Sequence, residues 1–141
     1  MFVFVTFTTF SINTTMKTKV YSIASRKGGV GKSVVTMLLA SALAFEGKKV
    51  LILDCDSQNS IFDWYENEAQ INEGLTALVD VEAVAPRRVQ SFLQRFAKDY
   101  DIIFIDVPRM TDNDKDSATV MLLYYCDAVL VPVLGTQIDA L

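Results

Sequence analysis

Along the chain, short solid apolar runs alternate with longer stripes of helical period. Residues 20–25 (VYSIAS) are a short apolar run that gives way to a glycine-rich turn at 26–31. From 33 to 46, Val34, Val35, Leu38, Ala42 and Phe45 recur near helical spacing, and Gly47 is a stop signal. Residues 50–53 are unbroken apolar and end in Asp54, the pattern of a strand buried on both faces. Ser60 is placed to cap a short helix carrying Ile61, Trp64 and Tyr65 on one face, with Asp63 three residues after the cap. A further strand is expected at 75–81. Pro86 then opens a helix in which Val89, Phe92, Leu93 and Phe96 fall at i, i+3, i+4 and i+7. Residues 102–105 are a second apolar run ending in an aspartate, Asp106, followed by a helical stretch at 117–125 and a strand at 128–133. Strands alternating with helices predict a parallel sheet with right-handed crossovers, covered on both faces: a three-layer α/β domain.

The first fifteen residues stand apart. They carry no charge, are rich in β-formers, and their apolar positions are broken by Thr6, Thr8, Thr9, Ser11 and Asn13. A secretory signal wants a basic start and a compact apolar run. The segment is expected to be a leader outside the fold, with Met16 as the working start and 16–141 as the domain; an edge strand is the alternative. No stretch supplies the roughly 20 apolar residues of a membrane span. A cytoplasmic protein with reduced Cys55 and Cys126 is therefore expected.

Composition narrows the chemistry. The chain has 141 residues, 51% hydrophobic and 21% charged, enough for one domain with a core. It has no histidine, which removes imidazole bases and His-based zinc sites. Two cysteines are too few for a four-thiolate metal site. Thirteen basic against seventeen acidic residues give a net charge of −4, so only a local basic patch is available for polyanions.

The chemistry concentrates in Lys27-Gly28-Gly29-Val30-Gly31-Lys32-Ser33, between the first predicted strand and helix. Glycines let backbone N–H groups turn inward around an anion, and a helix start adds unpaired N–H groups and a partial positive charge. Lys32 can reach β- and γ-phosphates, and the Ser33 hydroxyl can ligate Mg²⁺. The strict phosphate-loop pattern is not met, because its first glycine would fall at Arg26. An ordinary glycine turn is the plain alternative.

KGGVGKS resembles the deviant phosphate loop of the ParA/MinD family of partitioning ATPases. Other segments are similar to that family too: LILDCDSQNS at 51–60, where Ser57 replaces its proline; YDIIFIDVP at 100–108; and VLVPVLGTQID at 129–139. The resemblance implies a P-loop NTPase fold, incomplete at the C-terminus, that binds ATP and Mg²⁺ and hydrolyses ATP slowly. Lys27, Gly28, Gly29, Val30, Gly31, Lys32, Ser33 and Val34 would hold the nucleotide. Lys27 would reach across a nucleotide-sandwich homodimer, and Asp56 would orient the attacking water. Ser33, Asp54 and Asp106 would serve the magnesium. It also implies a ParB-like activating partner and non-specific DNA association, the latter through a C-terminal region beyond this chain. Arg109 stands where the family often has a second proline. A non-catalytic nucleotide-binding module and a MinD-like positioning ATPase are the alternative readings. No membrane partner is expected.

Blander roles compete for several residues. Asp54 and Asp56 suit strand ends that cap the next element. Cys55 and Cys126 suit small core positions. Arg87, Arg88, Arg95 and Lys98 form a basic helix face, which more often meets water than nucleic acid.

Overall fold

The computed structural model describes residues 2–6, 18–25, 29–71, 78–109 and 118–133. Its strands are β1 (Phe2–Thr6), β2 (Lys19–Ile23), β3 (Val50–Asp54), β4 (Val79–Ala83), β5 (Ile102–Asp106) and β6 (Ala128–Val133). Its α-helices are α1 (Lys32–Phe45), α2 (Ser60–Ile71), α3 (Val89–Phe96) and α4 (Ala118–Leu123). Single 3-10 turns, Pro86–Arg88 and Ala97–Asp99, flank α3.

The strands form one sheet in the order β1-β6-β2-β5-β3-β4, parallel except for the antiparallel β1–β6 pair. From β2 the chain winds outward through β3 to β4, then returns to place β5 and β6. Because parallel crossovers are right-handed, that reversal puts α1 and α2 on one face and α3 and α4 on the other. The core divides accordingly. Val50, Ile52, Ile102 and Phe104 pack with Val35, Ala40, Ala44 and Ile61 on the first face. Leu51, Leu53, Ile103 and Ile105 pack with Val89, Leu93, Ala97 and Leu122 on the second. Cys55 and Cys126 are buried in that second layer as free thiols, and burial pushes both up to about 12. The expected three-layer α/β class is what the chain adopts.

Three expectations change on contact with the structure. The strand expected at 75–81 lies instead at Val79–Ala83; residues 75–77 are outside the described ones. Val79–Ala83 alternates because it is an edge strand in which only Val81 is buried. On α1 the stripe Val34, Leu38, Ala42 and Phe45 has helical spacing but faces solvent, with Phe45 73% exposed. The opposite stripe, Thr36, Ala40 and Ala44, is buried, and its small side chains let the helix lie close to the sheet. Ser60 does not cap α2 but is its first, exposed residue; Trp64 is exposed while Ile61 is buried. Phe2–Thr6 lies antiparallel on β6.

Long-range polar ties hold the N-terminal ends of the strands. The Thr18 hydroxyl lies 2.7 Å from the Ala97 carbonyl and 2.8 Å from that of Tyr100, fixing the end of the α3 segment. The Asp127 carboxylate accepts from the Val20 amide and from the Lys19 ammonium. Among the described residues no helix is long and apolar enough to cross a membrane.

The layering sets a contrast between two leucines. Leu53→Ala, at a fully buried site, is expected to cost about 2–5 kcal/mol. Leu38→Ala on the exposed stripe is expected to change stability by less than about 0.5 kcal/mol. Urea unfolding followed by circular dichroism checks both; equal losses would overturn the assignment of the α1 faces.

Candidate phosphate and magnesium site

The C-terminal ends of β2, β5 and β3 lie side by side, so Ile23, Asp106 and Asp54 occupy one level of the sheet. In open parallel sheets this is where ligands bind, beside the strand at which the winding reverses. The glycine turn leaves β2 there and returns as α1.

Gly29 and Gly31 have φ of +71° and +82°, left-handed values that disfavour a side chain. Gly31 is the N-cap of α1, without a side-chain cap, and its carbonyl accepts the Val35 amide. The first turn of α1 contains no acidic residue and begins with Lys32. A cation at the positive end of a helix, above uncapped N–H groups, is an unfavourable arrangement that a bound anion reverses. Among the described residues, and apart from the chain neighbours, no heavy atom lies within 4 Å of where a Cβ on Gly29 or Gly31 would sit. Val30 is buried, whereas Val34 turns its side chain to solvent and offers only its backbone to the turn. Lys27 and Gly28 lie outside the described residues.

Ser33 and Asp106 are brought together across 73 positions of sequence. The Ser33 hydroxyl donates to Asp106 Oδ2 at 2.7 Å, while Asp106 Oδ1 is buried with no hydrogen-bond partner among the described groups. Burial pushes the Asp106 carboxyl up to about 6. The Ser33 hydrogen bond opposes this, the fields of Asp54 and Asp56 add to it, and that of Lys32 reduces it. An orphaned carboxylate oxygen beside a serine hydroxyl fits a hard cation that keeps most of its shell as water and phosphate oxygen. No three acidic or thiol side chains converge on a cation position among the described residues. Among the described residues, magnesium would thus depend on Ser33 and Asp106, with water and phosphate oxygens to complete its shell.

Asp54 ends β3 beside Asp106. It is 1% exposed and both oxygens are engaged: Oδ1 accepts the Asp56 amide, and Oδ2 accepts the Ile61 and Phe62 amides at 3.0 and 3.1 Å. It therefore caps α2 from the end of β3, across a tight turn in which Asn59 takes a φ of +47°. The capping role given to Ser60 is performed by Asp54. The only sequence signal for this was an aspartate ending a strand a few residues before a helix. Asp56 is half-exposed, and its Oδ1 accepts the Gln58 amide at 3.0 Å, an Asx turn.

Residues 21–138 match the CobQ/CobB/MinD/ParA nucleotide binding domain. The chain is 30% identical over 122 residues to protein ParA of Rhizobium radiobacter, covering 84% of this chain and 50% of that protein. It is 25% identical over 118 residues to the maintenance of carboxysome distribution protein A of Halothiobacillus neapolitanus, covering 84% of this chain and 51% of that one. The chain thus spans about half the length of these relatives. In fold it resembles a plasmid partition protein of Borrelia burgdorferi B31 bound to AMPPNP, with a TM-score of 0.61 and 23% identity over 82% of this chain and 62% of the other. It also resembles cobyrinic acid a,c-diamide synthase of Mycobacterium smegmatis with bound ADP and magnesium, with a TM-score of 0.55 and 18% identity over 66% of this chain and 52% of the other.

The buried carboxyl makes stability pH-dependent. Folding raises the Asp106 value from 3.8 to about 6, so the folded state holds that proton more tightly than the unfolded state. Without divalent cations, this contribution to stability is present below 3.8 and lost as pH rises through about 6. Asp106→Asn is expected to flatten stability across that window and to raise the urea midpoint at neutral pH. An unchanged pH profile would show that this carboxyl does not pay a burial penalty.

Proposed function

The chain belongs to the CobQ/CobB/MinD/ParA nucleotide-binding domain family, and from that premise we propose that it binds ATP with Mg²⁺ at the turn before α1 and hydrolyses it slowly. The observation that carries this reading is the Ser33–Asp106 pair with its orphaned oxygen, set beside a glycine-capped helix start free of acidic residues. In this reading the amides of residues 28–34 cradle the phosphates, and Lys32 pairs with the β- and γ-phosphate oxygens. Ser33 contributes its hydroxyl to the cation, while Asp106 orients that hydroxyl and bound water. Mg²⁺, when bound, neutralises charge that builds on the phosphates. Asp56, half-exposed on its turn, orients the attacking water. Lys27 reaches the phosphates of a second copy, so that nucleotide closes a homodimer.

In the cell this cycle would serve partition of plasmid or chromosomal DNA, with a ParB-like protein accelerating hydrolysis and the dimer associating with DNA. Support comes from the similarity to protein ParA, taken with the half of that protein's length which the chain spans.

Lys32→Ala is expected to weaken ATP binding about 10- to 100-fold, the worth of hydrogen bonds to a charged group. Titration with a fluorescent ATP analogue measures it, and unchanged affinity would sink the assignment. Asp56→Ala is expected to leave affinity intact and to slow single-turnover phosphate release by at least about tenfold. Equal release in that variant would remove Asp56 from the reaction.

A further inference from the structure

The two ends of the sheet differ in how they meet a further strand. β4, paired with β3 alone among the described residues, sets two exposed carboxylates, Asp80 and Glu82, along one edge. Charged side chains on an outer strand discourage another strand from adding to it. At the other end, β6 (AVLVPV) carries no charge, and its Val131 is exposed. Its one proline does not blunt its outer edge. The Leu130 carbonyl accepts the Ala24 amide on the β2 side, and backbone groups turn to alternate sides along a strand. The N–H that Pro132 lacks is therefore on the β2 side, beyond the end of β2, while Val129, Val131 and Val133 direct their N–H and C=O groups outward. These three residues lie opposite Thr6, Phe4 and Phe2 of β1. They are thus the hydrogen-bonded pairs of the antiparallel ladder, with Val3–Pro132 and Val5–Leu130 the pairs between them. β1 falls outside residues 21–138, which match the family.

We propose that the outer edge of β6 is a strand-acceptor site, that the chain's own residues 2–6 occupy it, and that their seat keeps β6 from pairing with a second copy. The proposal goes beyond the nucleotide reading and needs neither ATP nor magnesium. The edge selects its occupant by chemistry. A row of outward N–H and C=O groups is satisfied by an extended backbone, and side chains beside an uncharged strand are best uncharged themselves. Phe2–Thr6 (FVFVT) is uncharged and built from aromatic and β-branched residues, which suit a strand. Geometry favours the same chain as the source. β1 and β2 flank β6 on its two sides, about 10 Å apart at two strand spacings. Residues 7–18 join them, a length of chain that spans such a gap with ease. A strand tethered this way is present at an effective concentration of about millimolar, which a second copy must exceed to displace it. β1 in turn presents a shorter edge. Within it only Val3 and Val5 direct backbone groups away from β6 and keep them clear of the strand ends, and short edge strands are poor templates.

The test is amide hydrogen exchange by NMR on the full 141-residue chain, without nucleotide, with size-exclusion chromatography and light scattering on the same samples. In the parent chain the Val129, Val131 and Val133 amides are expected to exchange slowly, as donors to β1. Fast exchange of all three would overturn the proposal without recourse to any variant. Phe4→Pro removes the amide that donates to the Val131 carbonyl and should detach β1. The three amides should then exchange about tenfold faster or more, and the apparent mass should rise with protein concentration from one copy towards two. Val3→Pro removes an amide that points away from β6, the side on which an outer strand tolerates proline, and should change neither reading. Equal effects of the two prolines, or no effect of Phe4→Pro, would overturn the pairing. Faster exchange without any gain in mass would overturn the protective role. Should Phe4→Pro be unfolded by circular dichroism, Thr6→Pro, which removes the donor to the Val129 carbonyl, gives the same reading. ATP titration of the same variants keeps this outcome separate from the fate of the nucleotide site.

Discussion

The hydrogen bond from Ser33 to Asp106 joins the start of α1 to the end of β5, and much of the site follows from it. It requires β5 to be the parallel neighbour of β2, which sets Asp106 beside the end of the strand that the glycine turn leaves. It also requires α1 to begin with a left-handed glycine, so that the chain turns sharply enough for the second helical residue to point back at the sheet. Once Ser33 faces inward, helical geometry turns Thr36, Ala40 and Ala44 inward too. The rotation of α1 and the outward display of Val34, Leu38 and Phe45 are therefore consequences of one polar contact.

Two carboxylates, Asp54 and Asp106, end neighbouring central strands and are equally buried, yet they are used differently. Asp54 has three backbone N–H partners, and a carboxylate so supplied tolerates burial. Asp106 has one hydroxyl partner and, among the described residues, none for its other oxygen. The first holds α2 in place; the second carries an uncompensated cost. Uncompensated groups of this kind mark places where stability has been given up for binding.

The winding of the sheet also distributes charge. Right-handed crossovers force the helix after β4 onto the face opposite α1 and α2. The basic residues of α3 and its flanking turns are thereby removed from the acidic residues of α2, with the sheet and the side-chain layers on its two faces between them. Had both helices shared a face, the same residues would pair and the basic stripe would be neutralised.

What the linear order of residues settled was the type and number of elements. Solid apolar runs at 50–53 and 102–105 can only be strands covered on both faces, and the stripe Val89, Phe92, Leu93 can only be a helix packed on one side. The glycine-rich turn was equally plain, because left-handed backbone and a phosphate-sized opening are local demands. Tertiary structure alone decided the rest. An edge strand such as Val79–Ala83 has one buried residue and hence almost no apolar signature. A helix apolar nearly all round, like α1, does not reveal which side it buries until Ser33 finds its partner. Asp54 and Asp106 look alike in the sequence, each an aspartate after four apolar residues. Only the neighbours that the fold delivers to each, backbone amides for one and a single hydroxyl for the other, make one a cap and leave the other with an oxygen unpartnered among the described residues.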